Sequence, residues 1–156
     1  MRSWTCLVIA LAMAWGLTGP ASAQLDYGDF SSATLTGKAW SEMGSQNYEA
    51  ALGYIAKCLE LYEAQAKTMQ AGLSDYPPNT PPEETSKFWA LNDVGTCLFI
   101  RGEIELKRGD QSAAKATFQK LVNELKYAQC WDTNGWFWKP ADAAKKKILE
   151  LEFEQP

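Results

Sequence analysis

The residues able to do chemistry in this 156-residue chain are carboxylates, thiols and indoles, because it contains no histidine. Without imidazole there is no Ser-His or Cys-His catalytic unit, and the commonest general base and metal ligand are missing. Acidic side chains could still supply a glycosidase pair, whose carboxyl groups sit about 5–9.5 Å apart across a sugar. Nothing marks two of them as buried together. Asp93, Glu103 and Glu105 fall in one helical stretch, and Glu103 and Glu105, two residues apart, point to different faces. There is no Gly-rich phosphate loop and no nucleophile elbow, and the cysteines (Cys6, Cys58, Cys97 and Cys130) form no CxxC pair. The expectation is a protein that is not an enzyme and needs neither metal nor cofactor.

Indoles are the other chemical resource. Trp131, Trp136, Phe137 and Trp138 lie within eight residues of one another. Exposed aromatic rings could stack on sugars. A turn at Asn134-Gly135 could instead fold them back to cover the last apolar face of the domain. Capping is the preferred expectation; glycan binding or processing through Trp131, Trp136 and Trp138 is the alternative.

Fifteen Lys and Arg against nineteen Asp and Glu give a net charge of −4, and 46% apolar with 22% charged residues suits one globular domain. Residues 1–23 have the layout of a secretory signal peptide: Met1-Arg2, an uncharged apolar run from Trp4 to Leu17, a Gly19-Pro20 break and a small-residue Ala21-Ser22-Ala23 site. That run falls short of the roughly 20 apolar residues of a spanning helix. Cleavage would leave 24–156 in a bacterial periplasm or secreted, without stable membrane insertion. Its charge would be −5, since only Arg2 is lost, which argues against nucleic acid as a partner. The Lys145-Lys146-Lys147 run is followed by Glu150, Glu152 and Glu154 and reads as a solvated helix face.

The elements that must position these residues are helical. A first helix is expected from Ala33 to Gly44, capped by Ser31 or Ser32, with Leu35, Ala39, Trp40 and Met43 on one face. Asn47 opens a second, whose apolar stripe runs from Tyr48 to Leu73 over about seven turns. The prolines at 77, 78, 81 and 82 make a stiff linker. Thr80-Pro81-Pro82-Glu83 then reads as a capping box opening one continuous helix to Arg108. Gly102 inside it points to a close helix–helix approach. Further helices are expected at Gln111–Lys126 and Ala141–Phe153, with an aromatic loop between them and no strand-like alternation. The fold class is all-α.

The chain also repeats itself. Asn47-Tyr48-Glu49-Ala50-Ala51, with Ile55 and Cys58 following, aligns with Asp110-Gln111-Ser112-Ala113-Ala114, Phe118 and Leu121; upstream, Ala39 matches Gly102 and Leu35 matches Leu98. This pattern resembles the tetratricopeptide repeat (TPR) family, and the tail from Tyr127 to Lys139 is similar to a segment of small exported bacterial TPR-like proteins. The copies lie 63 residues apart where the family repeat is about 34, and Gln46 stands where the second copy has the turn residue Gly109.

The resemblance implies two antiparallel helical hairpins (33–73 and 85–126) joined by the 74–84 linker, with 127–156 as aromatic loop and capping helix. It implies a concave groove for a protein or peptide partner, lined by Trp40, Met43, Phe99, Glu103 and Leu106, with Thr36 and Lys107 at equivalent positions. The carboxylate-clamp set of the chaperone-binding members is missing. Stacking of the second and third helices as TPR neighbours would put Cys58 and Cys97 at one height, as a disulfide; three buried thiols are the alternative. Cys130 would then be the odd thiol or the link of a homo-oligomer. The function expected is a non-catalytic interaction or scaffold module.

Overall fold

The computed structural model describes residues 24–78, 82–132 and 134–153. The signal-peptide reading of 1–23 and the Thr80-Pro81 part of the capping box lie outside them. Among the described residues the chain forms α1 (Ser32–Gly44), α2 (Tyr48–Ala71), α3 (Pro82–Ser86), α4 (Trp89–Lys107), α5 (Gln111–Glu124), the strands β1 (Cys130–Asp132) and β2 (Trp136–Trp138), and α6 (Pro140–Phe153). The protein is therefore mostly helical, as its periodicity requires. None of these helices is long and apolar enough to cross a membrane.

The helices pack in sequence order around α4. α1 lies on α2 and on α4, α2 on α4, α4 on α5, and α6 on both α5 and α4. Covered from several sides, α4 buries Ala90, Leu91, Val94, Cys97, Leu98, Ile100 and Ile104, so it is apolar around most of its circumference and not along a single stripe. Gly102 sits where α5 crosses. A Cβ there would fall 2.3 Å from Cε1 of the fully buried Phe118, so the close approach expected from the glycine is present.

The internal repeat is visible in the backbone of the two turns. Asn47 N–H donates to Glu42 O at 2.9 Å and Gln46 N–H to Met43 O; 63 residues later Asp110 N–H donates to Glu105 O at 2.9 Å and Gly109 N–H to Leu106 O. Both turn residues are left-handed, Gln46 at φ 61° and Gly109 at φ 81°. This is the bond pattern of a Schellman helix end, and glutamine adopts in the first copy what glycine adopts freely in the second. The caps differ. Asp110 accepts from Ala113 N–H, whereas Asn47 caps with no side-chain bond and gives its amide to Glu42.

Two expectations need correction. The helix after the linker is not continuous: α3 stops at Ser86 and α4 starts at Trp89. The Thr85 carbonyl accepts from Phe88 N–H and from the Asn92 side-chain amide, while the Thr85 hydroxyl donates to Pro78 O and accepts from Gln129. Side chains thus take bonds that a running helix would keep in its backbone. The aromatic segment is not an irregular loop either. β1 and β2 pair antiparallel with Cys130 opposite Trp138, Trp131 opposite Phe137 and Asp132 opposite Trp136. Gly135, at φ 91°, makes the expected turn with its N–H on Asp132 O.

Candidate functional site

The hairpin brings the tryptophan-rich tail onto α1 and α4. Side chains alternate across a strand, so Cys130, Asp132, Trp136 and Trp138 share one face of the hairpin, and Trp131 and Phe137 pair on the other with centroids 5.0 Å apart. Trp138 meets the Phe99 ring edge-on at 5.1 Å and the Trp40 ring at 6.2 Å. Phe99 in turn rests on the buried Phe118. The result is a groove of about 550 Å³ whose walls include Trp40, Phe99, Trp131, Trp136 and Trp138. Trp131 and Trp136 keep half of their surface in solvent, 52% and 50%, and Trp40 keeps 38%.

The groove has a polar floor from Thr36, Asp93 and Thr96. Asp93 on α4 accepts a hydrogen bond from the Ser32 hydroxyl at the start of α1. Burial raises its carboxyl above the ordinary range, and the Ser32 bond offsets this only in part. Among the described residues no Lys or Arg lines the groove. A second recess of about 330 Å³ adjoins it, sharing Ala33, Asp93, Cys130 and Trp131 and adding Thr85, Trp89, Asn92 and Gln129.

Gln129 is fully buried and binds three parts of the chain together. Its N–H donates to Asn92 Oδ1 at 3.0 Å, and its side-chain amide donates to Pro77 O at 2.6 Å and to Thr85 Oγ1 at 3.2 Å. Linker, α3–α4 junction and tail are thereby held in register behind the groove. Its Oε1 has no hydrogen-bond partner among the described residues.

The three described thiols lie just beneath. Thr36 Oγ1 is 3.3 Å from Cys97 Sγ and 4.0 Å from Cys58 Sγ, and Thr96 Oγ1 is 3.2 Å from Cys130 Sγ. Cys58 and Cys97 are adjacent, as their expected heights require, but they are free thiols with no disulfide between them. Cys58 next to it, then burial, push the Cys97 thiol well up, while the Cys97 bond lowers Cys58. Burial pushes the Cys130 thiol up to about 11.

The structure sorts the five groove residues taken from the resemblance. Trp40 and Phe99 line the aromatic groove; Met43, Glu103 and Leu106 do not. Met43 and Leu106 are half-buried against the core. Glu103 faces α6, 3.5 Å from Lys147 Nζ, with its side chain 19% exposed. Asp93, Asn92 and Gln129 were not singled out as a site by spacing. The available signal was polar residues set in apolar surroundings, at Asn92-Asp93 within α4 and at Gln129 between Ala128 and Cys130.

A cleft of about 660 Å³ between α2, α4 and α5 is larger but less suited to a ligand. Its basic groups are already paired: Arg101 with Glu105 at 2.8 Å, and Arg108 with Glu49 at 2.9 Å. Among the described residues no cluster of three or more Cys, Asp or Glu could hold a metal ion. No family model matches this chain, and neither a curated protein nor a solved structure does.

Proposed function

We propose that this chain is a non-catalytic interaction module that takes a partner's peptide segment into the aromatic groove between α1, α4 and the β1–β2 hairpin. One observation carries the reading: Trp40 and Phe99, from the groove face of the helical repeats, and Trp136 and Trp138, from the tail, converge on one cavity that Trp131 also borders, and Trp40, Trp131 and Trp136 remain partly exposed. Partner sites are rich in such aromatic anchors because a ring brings large contact area at small entropic cost. A TPR-like arrangement is supported by the packing order of α1, α2, α4, α5 and α6 and by the matched turns at Gln46 and Gly109. In that arrangement α1 and α4 are the groove helices, and α6 with the hairpin closes the array.

The same reading places the protein outside the cytoplasm, on the strength of the signal-like residues 1–23. In that oxidising setting Cys58 and Cys97 would join as a disulfide. Cys130, held by Thr96 and with its thiol pushed up by burial, is a poor intermolecular link. In-cell crosslinking followed by mass spectrometry tests the function. A partner recovered with the wild-type chain and lost with a folded Trp40→Ala/Trp131→Ala variant supports it; equal recovery with both overturns it.

The half-exposed Trp131 and Trp136 favour a second reading, glycan binding at the same groove. Titration with soluble oligosaccharides, followed by intrinsic tryptophan fluorescence, separates the two. No change through the millimolar range removes the sugar.

A further inference from the structure

The floor of the groove is built from acceptors. Asp93 offers a carboxylate whose one side-chain hydrogen bond among the described residues comes from a neutral hydroxyl. Among the described residues no cationic side chain lines either recess that Asp93 borders. Gln129, fully buried beside the inner recess, keeps an amide oxygen that has no partner among the described residues. An unneutralised, largely desolvated carboxylate is costly, and a donor that carries positive charge relieves it. The walls favour the same ligand. Indole faces attract a cation through the ring quadrupole and stack on a planar guanidinium.

We propose, as a deepening of the peptide-groove reading on which it rests, that the groove recognises a basic side chain of its partner segment, with arginine preferred to lysine. Asp93 supplies the counter-charge, and the indoles of Trp40, Trp136 and Trp138 flank the stem and guanidinium. The chain's net charge of −4 favours approach of a basic segment over an acidic one. A quaternary ammonium, which has no N–H, could not donate a hydrogen bond to the Asp93 carboxylate. The two recesses, about 550 and 330 Å³, leave room for backbone beside the side chain.

The test uses the peptide Ala-Ala-Arg-Ala-Ala, capped at both ends, and its lysine, citrulline and glutamate counterparts. Binding is read from the indole N–H signals of the tryptophans in ¹H–¹⁵N spectra. The arginine peptide should shift the Trp40 and Trp136 signals to saturation, and added salt should weaken it. Citrulline keeps the shape of arginine without the charge and should bind on the order of tenfold more weakly, the loss expected for a charge-assisted bond. Asp93→Asn should remove that preference while the melting curve shows a folded protein. Unchanged discrimination in Asp93→Asn overturns the proposal. So does methylguanidinium binding as tightly as the peptide, which would assign the site to a small free cation. Equal binding of the citrulline peptide, lost on Trp40→Ala, overturns the charge recognition alone and leaves the peptide groove standing. No binding by any peptide also overturns the basic-side-chain assignment, whereas the groove itself stands or falls with the crosslinked partner.

Discussion

At the scale of single residues, Asp93 carries the sharpest consequence. Its carboxyl titrates above the ordinary 3.8, because burial disfavours the charged form. Between 3.8 and the raised value, the folded chain holds a proton that the unfolded chain has released. Stability therefore falls as pH rises through that window, and at neutral pH the ionised group is a net cost. The groups around it do not relieve this: Ser32 on α1 is neutral, and the thiols of Cys58, Cys97 and Cys130 gain no positive charge. Asp93→Asn should raise the Tm at pH 7, with a gain that shrinks toward pH 4; thermal melts across that range check it, and a loss of stability at pH 7 would contradict the burial argument. A residue whose removal stabilises the fold while weakening binding is typical of a site retained for function.

The cysteine pair gives a second residue-scale prediction. Cys58 and Cys97 are 39 residues apart, so closing that loop would add about 4 kcal/mol by the chain-entropy relation, less any strain. Protein treated with oxidised glutathione should lose two hydrogens in intact mass and melt higher, and Cys97→Ala should abolish both effects. If both thiols still alkylate after unfolding of the treated protein, the pair is a thiol site only. The proximity of the two thiols was legible from the repeat alignment, which counts equal distances from the two turns. The tie through Thr36 was not, because a hydroxyl on another helix leaves no periodic trace.

At the scale of elements, the two matched turns form a natural experiment. Gln46 and Gly109 hold equivalent left-handed positions, but glutamine has a Cβ that disfavours this conformation by roughly 1 kcal/mol or more. Gln46→Gly should stabilise by about 1 kcal/mol, a Tm rise of roughly 3–5 °C for a domain of this size. Gly109→Ala should cost about as much in the opposite direction; no atom lies within 4 Å of the added Cβ, so the effect would be conformational and not a clash. Gly102→Ala is different in kind. It meets the immobile Phe118 ring, so overpacking of roughly 1–3 kcal/mol should outweigh the helix propensity gained. Denaturant melts of the three variants, compared at constant m-value, check the order. The break between α3 and α4 belongs to the same scale and was not legible. Thr85 and Asn92 are compatible with a helix until Gln129, 37 residues beyond Asn92, arrives to share their hydrogen bonds.

At the scale of the whole molecule, α6 joins stability to the groove. It covers α5 and α4, its Lys147 reaches Glu103, and Pro140 packs near Gly95, where the tail leaves the hairpin. Ala141, Ala144 and Leu151 are buried in this contact. Truncation after Lys139 should expose the apolar faces of α4 and α5, broaden the unfolding transition and raise binding of a hydrophobic dye; an unchanged cooperative melt would show that α6 is not needed to close the array. By itself the sequence determined the helices apart from the α3–α4 break, the repeat, the close approach at Gly102 and the turn at Gly135, since each is written in local periodicity or in a residue whose backbone freedom is needed where it stands. Only the tertiary structure decided that Trp40 and Phe99 share a cavity with Trp131, Trp136 and Trp138, and that Met43, Glu103 and Leu106 lie outside it. It also decided that Asp93 and Gln129 border the same inner recess. Those juxtapositions come from hydrogen bonds and ring contacts between segments 37 to 98 residues apart, a distance over which periodicity carries no information.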